Sequence, residues 1–257
     1  MVLFSSFSFH VGVVLLLLVV RFVVFQLRPS SPKVRAHMTG VREALDSATL
    51  TFFVLFFLIQ PFVAQAYVIP TASMENSLPV GTRILASPLA SKVVPIQVGE
   101  ALVFYPPHKA LELARHEEGE VWIKRCIGTP GQVVEIRKNV LWRDGKVVTE
   151  PYAIWSSPGL APIMYDLKIV GDAVYSREYD KMGRAGLWTK GNNLQGDQNA
   201  ISSATPSRVP VNKFLMLGDH RNDSLDGHVW GFVDRESVVG RAFVSFWPPK
   251  QMGVIQR

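Results

Sequence analysis

Ser73 and Lys124 are the two residues at which this sequence could do covalent chemistry. Ser73 stands where a long apolar run ends, in Ile69-Pro70-Thr71-Ala72-Ser73-Met74. Alone, such a serine reads equally as a helix cap or a loop residue. Lys124 lies inside Val121-Trp122-Ile123-Lys124-Arg125-Cys126-Ile127. Strand periodicity puts Trp122, Lys124 and Cys126 on one face and Ile123, Arg125 and Ile127 on the other. A lysine flanked by Trp and Cys is expected to be partly desolvated, which lowers the pKa of an amine; the competing reading is a side chain that snorkels to the rim of a sheet. Hydroxyl attack needs a neutral base, and an ordinary lysine is neutral only about once in 2,500 molecules at pH 7. Burial that lowers the pKa by about two units raises that fraction about a hundredfold.

A third dense stretch runs Gly218-Asp219-His220-Arg221-Asn222-Asp223-Ser224-Leu225-Asp226-Gly227-His228-Val229-Trp230-Gly231. Its composition suits a surface turn, and its hydrogen-bonding density equally suits a brace behind a site. A histidine-based mechanism competes with a lysine-based one. Of the six histidines, His10 falls in an apolar segment, His37 in a basic loop, and His108 and His116 in a charged excursion, which leaves His220 and His228. These two, with Asp219, Asp223 and Asp226, can be drawn as metal ligands, but no zinc or EF-hand spacing is met. No metal and no cofactor is expected.

Residues 1–20 carry no Lys, Arg, Asp or Glu, and Val11 to Val20 is almost unbroken Val and Leu; Leu50 to Ile69 is likewise uncharged. Each meets the length of roughly 20 apolar residues that spans a bilayer. The first lacks the basic start and small-residue cleavage site of a secretory leader. The expected organisation is one membrane helix over 1–27, a basic loop over 28–47, a second helix over 48–69, and a folded domain over 70–257. The loop holds most of the early basic residues, so the positive-inside rule makes it cytoplasmic and turns the domain after Ile69 outward. Val34 to Asp46 could form an interfacial helix. The whole chain has 27 basic and 21 acidic residues; five and two of them precede residue 70, leaving 22 and 19. That balance excludes a nucleic-acid partner despite a sequence pI of about 9.5. A single cysteine, Cys126, excludes an internal disulfide.

From Arg83 onward the pattern becomes short β-type runs: 83–86, 101–105, 121–129, 132–136, 140–143, 146–149, 214–217 and 238–247. Asp144-Gly145 is a strong hairpin signal. The predicted fold is mainly β: an antiparallel β catalytic domain anchored by two N-terminal transmembrane helices. Residues 106–120 read as a charged helix or loop. Residues 151–210 read as an excursion, a small subdomain or extended hairpin, with strands over 173–179 and 186–190.

Taken in order, the three motif-bearing stretches resemble the type I signal peptidases, membrane-bound Ser/Lys endopeptidases that remove signal peptides from exported proteins. That family's serine box is approximately Pro-Ser-Gly-Ser-Met-x-Pro-Thr-Leu, and residues 70–78 keep its Pro, Ser-Met and Leu. Its lysine box, Lys-Arg-x-x-Gly-x-Pro-Gly, is met in full by residues 124–131. Its terminal box is met over 218–231 with several changes. The resemblance implies a nucleophile at Ser73, a general base at Lys124, and an oxyanion hole from the Thr71 hydroxyl and the Ser73 N–H. It further implies that Ser224 orients the lysine, with Asp226, Asp219 and Arg221 supporting. Tyr67, Ile69, Met74, Leu78 and Ile123 would line shallow pockets for the small-x-small cleavage pattern. The implied partners are signal peptides and the lipid bilayer of a plasma (inner) membrane, with the catalytic domain on the outer side, and the enzyme is expected to be a monomer. A Ser/Lys self-cleaving repressor is a rival reading, but lacks membrane helices; a catalytically silent membrane-anchored scaffold is another. His228 stands where the family has an arginine, His220 where it has an asparagine, and Gly227 where it has a serine. A His228–Asp226 pair weakens as a histidine loses its proton, near about 6.5 when unperturbed. Some pH sensitivity of activity is therefore expected that arginine-bearing relatives lack, and a His228→Arg variant with an unchanged pH profile would count against it.

Overall fold

The computed structural model describes residues 7–27, 31–155, 163–191, 193–194 and 197–257. Residues 1–6 of the expected first membrane helix, 28–30 of the basic loop, and 156–162, 192, 195 and 196 of the excursion lie outside that set. The described chain forms two compact units that divide between Ala66 and Tyr67.

The N-terminal unit is a helical hairpin. Helix α1 spans Phe7–Gln26 and α2 spans Pro32–Phe53, and the chain continues in wider π-helical turns over Val54–Val63. Both are long and apolar enough to cross a membrane. The helix allowed over Val34 to Asp46 is thus present, but it starts at Pro32 and runs on without a break into the second apolar segment. The local chemistry explains the start: Ser31 holds an extended backbone at the cap position, and proline, which donates no N–H, takes the first helical position. A helix of 32 residues is on the order of 45 Å long. That exceeds the roughly 30 Å hydrocarbon core, so the charged first half is not needed to span it. Arg42 donates to the carbonyls of Val24, Phe25 and Leu27 at 3.2 Å each, and Arg21 pairs with Asp46, so charged side chains of α2 tie down the end of α1.

The helix ends at Val63, six residues short of Ile69. Pro61 cannot donate within it, and Ala64 is already extended. Beyond it the backbone is claimed by a sheet: Ile69 N–H donates to Thr82 C=O at 2.9 Å and Gly81 N–H to Ile69 C=O at 2.8 Å.

The C-terminal unit is built on two sheets. The first holds β1 (Gln65–Val68), β2 (Arg83–Ser87), β3 (Ala101–Phe104), β4 (Trp122–Gly128), β12 (Lys213–Leu217), β13 (Phe232–Asp234), β14 (Val238–Trp247) and β15 (Gly253–Val254). The second holds β5 (Val134–Arg137), β6 (Val140–Arg143), β7 (Lys146–Val148), β8 (Tyr165–Val170), β9 (Ala173–Glu178), β10 (Thr189–Lys190) and β11 (Asn193–Leu194). The strand orders are 1-2-14-3-4-12-13, with β15 on β14, and 11-10-9-8-5-6-7. The ladders are antiparallel, as expected. Short helices α3 (Pro88–Val93), α4 (His108–Ala114), α5 (Gln198–Ser203) and α6 (Gly227–Trp230) fill connections. The excursion is therefore mostly a β-hairpin and its extension, docked onto β5.

Alternation along the strands makes three apolar clusters. Ile127, Leu215 and Leu217 of the first sheet pack with Val134, Ile136, Leu167 and Ile169 of the second. Leu102, Phe104, Cys126 and Met216 form another with Trp230 and Val233. Tyr67, Ile69, Met74, Leu78 and Ile123 join Ile84, Ala86 and Val103 in the third.

Candidate active site

Three segments bring the chemistry together. After Pro70 the chain is extended at Thr71 and then turns through a single 3₁₀ turn, Ala72–Met74. The turn closes through Glu75 N–H to Ala72 C=O at 2.8 Å and Leu78 N–H to Met74 C=O at 2.7 Å. It directs Ser73 and Met74 inward, Ser73 being 8% exposed. Lys124 sits in β4 directly across from Leu102 of β3 and is 5% exposed. Its Nζ donates to Ser73 Oγ at 2.5 Å, and Thr71 Oγ1 lies 3.3 Å from the same oxygen.

The third segment arrives from β12. Leu217 pairs with Arg125, so the next residue, Gly218, stands level with Lys124. A Cβ at Gly218 would lie 2.6 Å from the Ser73 carbonyl oxygen and 2.3 Å from Ser224 Oγ, which explains why only glycine fits. The Gly218 N–H donates to Asp226 Oδ2 at 2.8 Å, and the next residue but one, His220, donates its N–H to the Ser73 carbonyl at 3.1 Å. Asp226 caps α6 and also meets Nδ1 of His228 at 2.7 Å.

Two buried ion pairs anchor this segment. Arg125 is bidentate to Asp219, both bonds 2.7 Å, with neither side chain exposed. Its remaining N–H groups go to the carbonyls of Gly99 and Gln256 at 2.7 Å and to Ser77 Oγ at 2.9 Å. Arg221 is bidentate to Glu150, at 2.8 and 2.6 Å, and donates from Nε to the Gly218 carbonyl at 3.0 Å.

Burial lowers the Lys124 pKa to about 8 against the opposing pull of Asp226, Asp219 and Asp223. Burial acts to raise the Asp226 carboxyl, but His228, Lys124 and the Gly218 N–H overcome it and hold the group below the ordinary carboxylate range. The arrangement is a hydroxyl bonded to an amine that readily gives up its proton, with a carboxylate held ionised nearby. Such a pair can run nucleophilic acyl transfer.

The profile of the family described as signal peptidase, peptidase S26, matches residues 42–247. The chain belongs to that family. Within the signal peptidases, the probable signal peptidase I-1 of Synechocystis sp. is 30% identical over 200 residues, 78% of this chain and 80% of the relative. The signal peptidase I of Leptolyngbya laminosa is 32% identical over 195 residues, 76% of this chain and 74% of the relative. A solved signal peptidase I from Enterococcus faecalis V583 superposes on 57% of this chain and 96% of its own, with a TM-score of 0.35 and 24% identity. Membership makes the chain a hydrolase of signal-peptide processing, and its two apolar N-terminal helices are consistent with membrane anchoring.

Set against the residues that resemblance to signal peptidases singles out, the structure brings Ser73, Lys124, Thr71, Asp219, Arg221 and Asp226 into one connected group. Ser224 is placed differently. Its Oγ is buried without a hydrogen-bond partner among the described residues and lies against Gly218, so the expected bond to Lys124 is not made. Tyr67, Ile69, Met74, Leu78 and Ile123 do come together, but as one packed cluster in which none exceeds 5% exposure. Sequence reasoning missed the anchoring roles of Arg125 and Glu150. Arg125 carried a signal, being the second residue of the lysine box; Glu150 lies outside every box and meets Arg221 only through the tertiary fold.

Proposed function

We propose that the protein is a membrane-anchored serine endopeptidase that removes N-terminal signal peptides from exported pre-proteins by a Ser73/Lys124 mechanism. The observation that carries this reading is the direct hydrogen bond between the two side chains, with Lys124 buried and its pKa lowered to about 8. Neutral Lys124 takes the Ser73 proton as Oγ attacks the scissile carbonyl. The resulting ammonium then protonates the leaving amine of the mature chain, and an ester joins Ser73 to the signal peptide. Lys124, neutral again, deprotonates the water that hydrolyses this ester. The Thr71 hydroxyl and the Ser73 N–H, which belongs to the first turn of a helix and so lacks an intrahelical partner, are the proposed oxyanion donors.

Tyr67, Ile69, Met74, Leu78 and Ile123, packed together in one buried cluster, are proposed to line the sites for the small side chains of the cleavage sequence. Cleavage after small-x-small sequences is part of this proposal. Residues 1–27 and 48–69 are proposed to hold the membrane segments, the basic stretch 28–47 to stay cytoplasmic, and the domain from 70 to work on the outer face of the plasma membrane.

The pH dependence tests the base. Only neutral Lys124 accepts the proton, so activity is lost as pH falls through about 8. Below that point kcat/KM should fall about tenfold per unit, and above it should level off, because at pH 7 about one enzyme in ten carries the neutral amine. The measurement is initial cleavage rate of a pre-protein by the full chain in detergent micelles. A profile flat from pH 6 to 9 would remove Lys124 as the base.

A further inference from the structure

The segment Glu150–Trp155, between β7 and the excursion hairpin, belongs to none of the three motif stretches, yet it touches each of them. Ile154 forms a parallel bridge with His220: its N–H donates to Asp219 C=O at 2.8 Å, and its C=O accepts from Arg221 N–H at 2.9 Å. Asn76, three residues past Ser73, donates from Nδ2 to the Tyr152 carbonyl at 2.9 Å. The Arg125 guanidinium lies 3.9 Å from the centre of the Tyr152 ring, and that of Arg221 lies 5.3 Å from the Trp155 ring. Both buried arginines behind the site are therefore covered by this one strap.

Glu150 is its charged anchor. The carboxylate is 6% exposed, accepts both terminal N–H groups of the fully buried Arg221, and accepts from Tyr152 OH at 3.1 Å. With its terminal nitrogens fixed, Arg221 presents Nε to the Gly218 carbonyl. The other side of Gly218 is held by Asp226, and its α-carbon is wedged against the Ser73 carbonyl. The same residue stands level with Lys124. Gly218 is thus fixed at both ends and in contact with the nucleophile's own backbone, and Glu150 sets one of those ends.

We propose that Glu150 is a positioning residue for the Ser73–Lys124 pair, acting through Arg221 on the Gly218 peptide. This rests on the Ser/Lys reading above. Glu150 touches neither the nucleophile nor the base; its effect is to keep the segment between Gly218 and Asp226 seated against Ser73. A misplacement of about 1 Å at a catalytic pair can cost on the order of 100-fold in rate.

The test uses the full chain in detergent micelles, a peptide carrying an Ala-x-Ala site, and thermal unfolding of each variant so that rates are compared well below its midpoint. Glu150→Ala and Arg221→Met should each lower kcat by about 10- to 100-fold. KM should stay within about twofold, the signature of an interaction lost from the transition state rather than from substrate binding. Because both act through one contact, the double variant Glu150→Ala/Arg221→Met, which also removes both buried charges, should lose no more than the worse single variant. Glu150→Gln, which keeps one acceptor oxygen, should recover part of the loss. Folded Glu150→Ala with unchanged kcat, or a double variant whose loss is the product of the single losses, overturns the proposal. Ser73→Ala run alongside separates the two readings. If it still cleaves, the Ser/Lys mechanism has failed; if it is inactive while Glu150→Ala cleaves normally, only the role of Glu150 has failed.

Discussion

Ser73→Ala and Lys124→Met should each abolish pre-protein cleavage, with a loss on the order of 10⁴-fold or more, and Lys124→Met should at the same time make the protein more stable. The first half follows from the pair acting as a unit: an amine without its hydroxyl has nothing to activate, and the hydroxyl without its amine has no base. The second half follows from the burial that makes the lysine useful. Lys124 is 5% exposed and its pKa is lowered to about 8, so the folded state resists the proton that the unfolded chain holds up to about 10.4. The sign is that of a penalty. Between pH 8 and 10.4 the unfolded state binds more protons, so stability rises with pH through that window; at pH 7 the full penalty stands, on the order of 3 kcal/mol. Methionine fills a similar volume with no charge, and Asp226 retains His228 and the Gly218 N–H as partners. Stabilisation of about 1–3 kcal/mol is expected, read as an unfolding midpoint several degrees higher in the same detergent. A Lys124→Met protein that is inactive but no more stable would mean that the buried amine costs the fold nothing, contrary to its lowered pKa.

Asp219→Ala should be the opposite case, damaging chiefly the fold. It would leave the Arg125 guanidinium, which has no exposure, without its countercharge. Removing one partner of a buried pair costs about 3–5 kcal/mol. The carbonyls of Gly99 and Gln256 and the Ser77 hydroxyl still accept from Arg125, which places the expected loss near the lower end of that range. Replacing both partners by apolar residues, as in Arg125→Met/Asp219→Leu, should be less damaging than Asp219→Ala alone, because no buried charge is then unpaired. Thermal or denaturant unfolding decides. A loss below about 1 kcal/mol for Asp219→Ala would show that the carbonyl cage alone suffices for Arg125.

Most of the first sheet could be read from the sequence because its strands are short apolar runs between Gly and Pro turns, and β6 and β7 meet at Asp144-Gly145 as that dipeptide predicts. β1 was concealed. Gln65–Val68 continues an apolar run, and composition cannot separate the end of a helix from a buried strand. A helix over Val34 to Asp46 was legible, but its charge set it apart from the uncharged run after Leu50, and the continuity of α2 through both was not. In the excursion, Tyr165–Val170 places Asp166 and Lys168 within a buried strand, where their partners, Arg177 for the one and the carbonyls at the end of α5 for the other, come from other elements. Ser73 and Lys124, the proposed nucleophile and base, were visible through local motif and periodicity. The pairings Arg125–Asp219 and Arg221–Glu150 were not, because each joins residues far apart in sequence and depends on how β4, β12 and the segment after β7 converge. Ser224 shows the reverse: motif position assigned it a bond that the backbone path from Gly218 to Asp226 does not deliver.

The seating of residues 253–257 has a practical consequence for anyone handling the protein. β15 lies along β14, the Gln256 carbonyl receives a bond from Arg125, and Arg257 pairs with Glu100 at 3.1 Å and donates to Gln97 at 2.7 Å. A proteolytic cut between Val254 and Gln256 would loosen the carbonyl that receives Arg125, the residue next to Lys124. Labels are better placed in the exposed turn at Met182 and Gly183, whose backbone lies on the far hairpin of the second sheet. Loss of activity on storage is worth checking first by mass spectrometry of the peptide that holds residues 253–257.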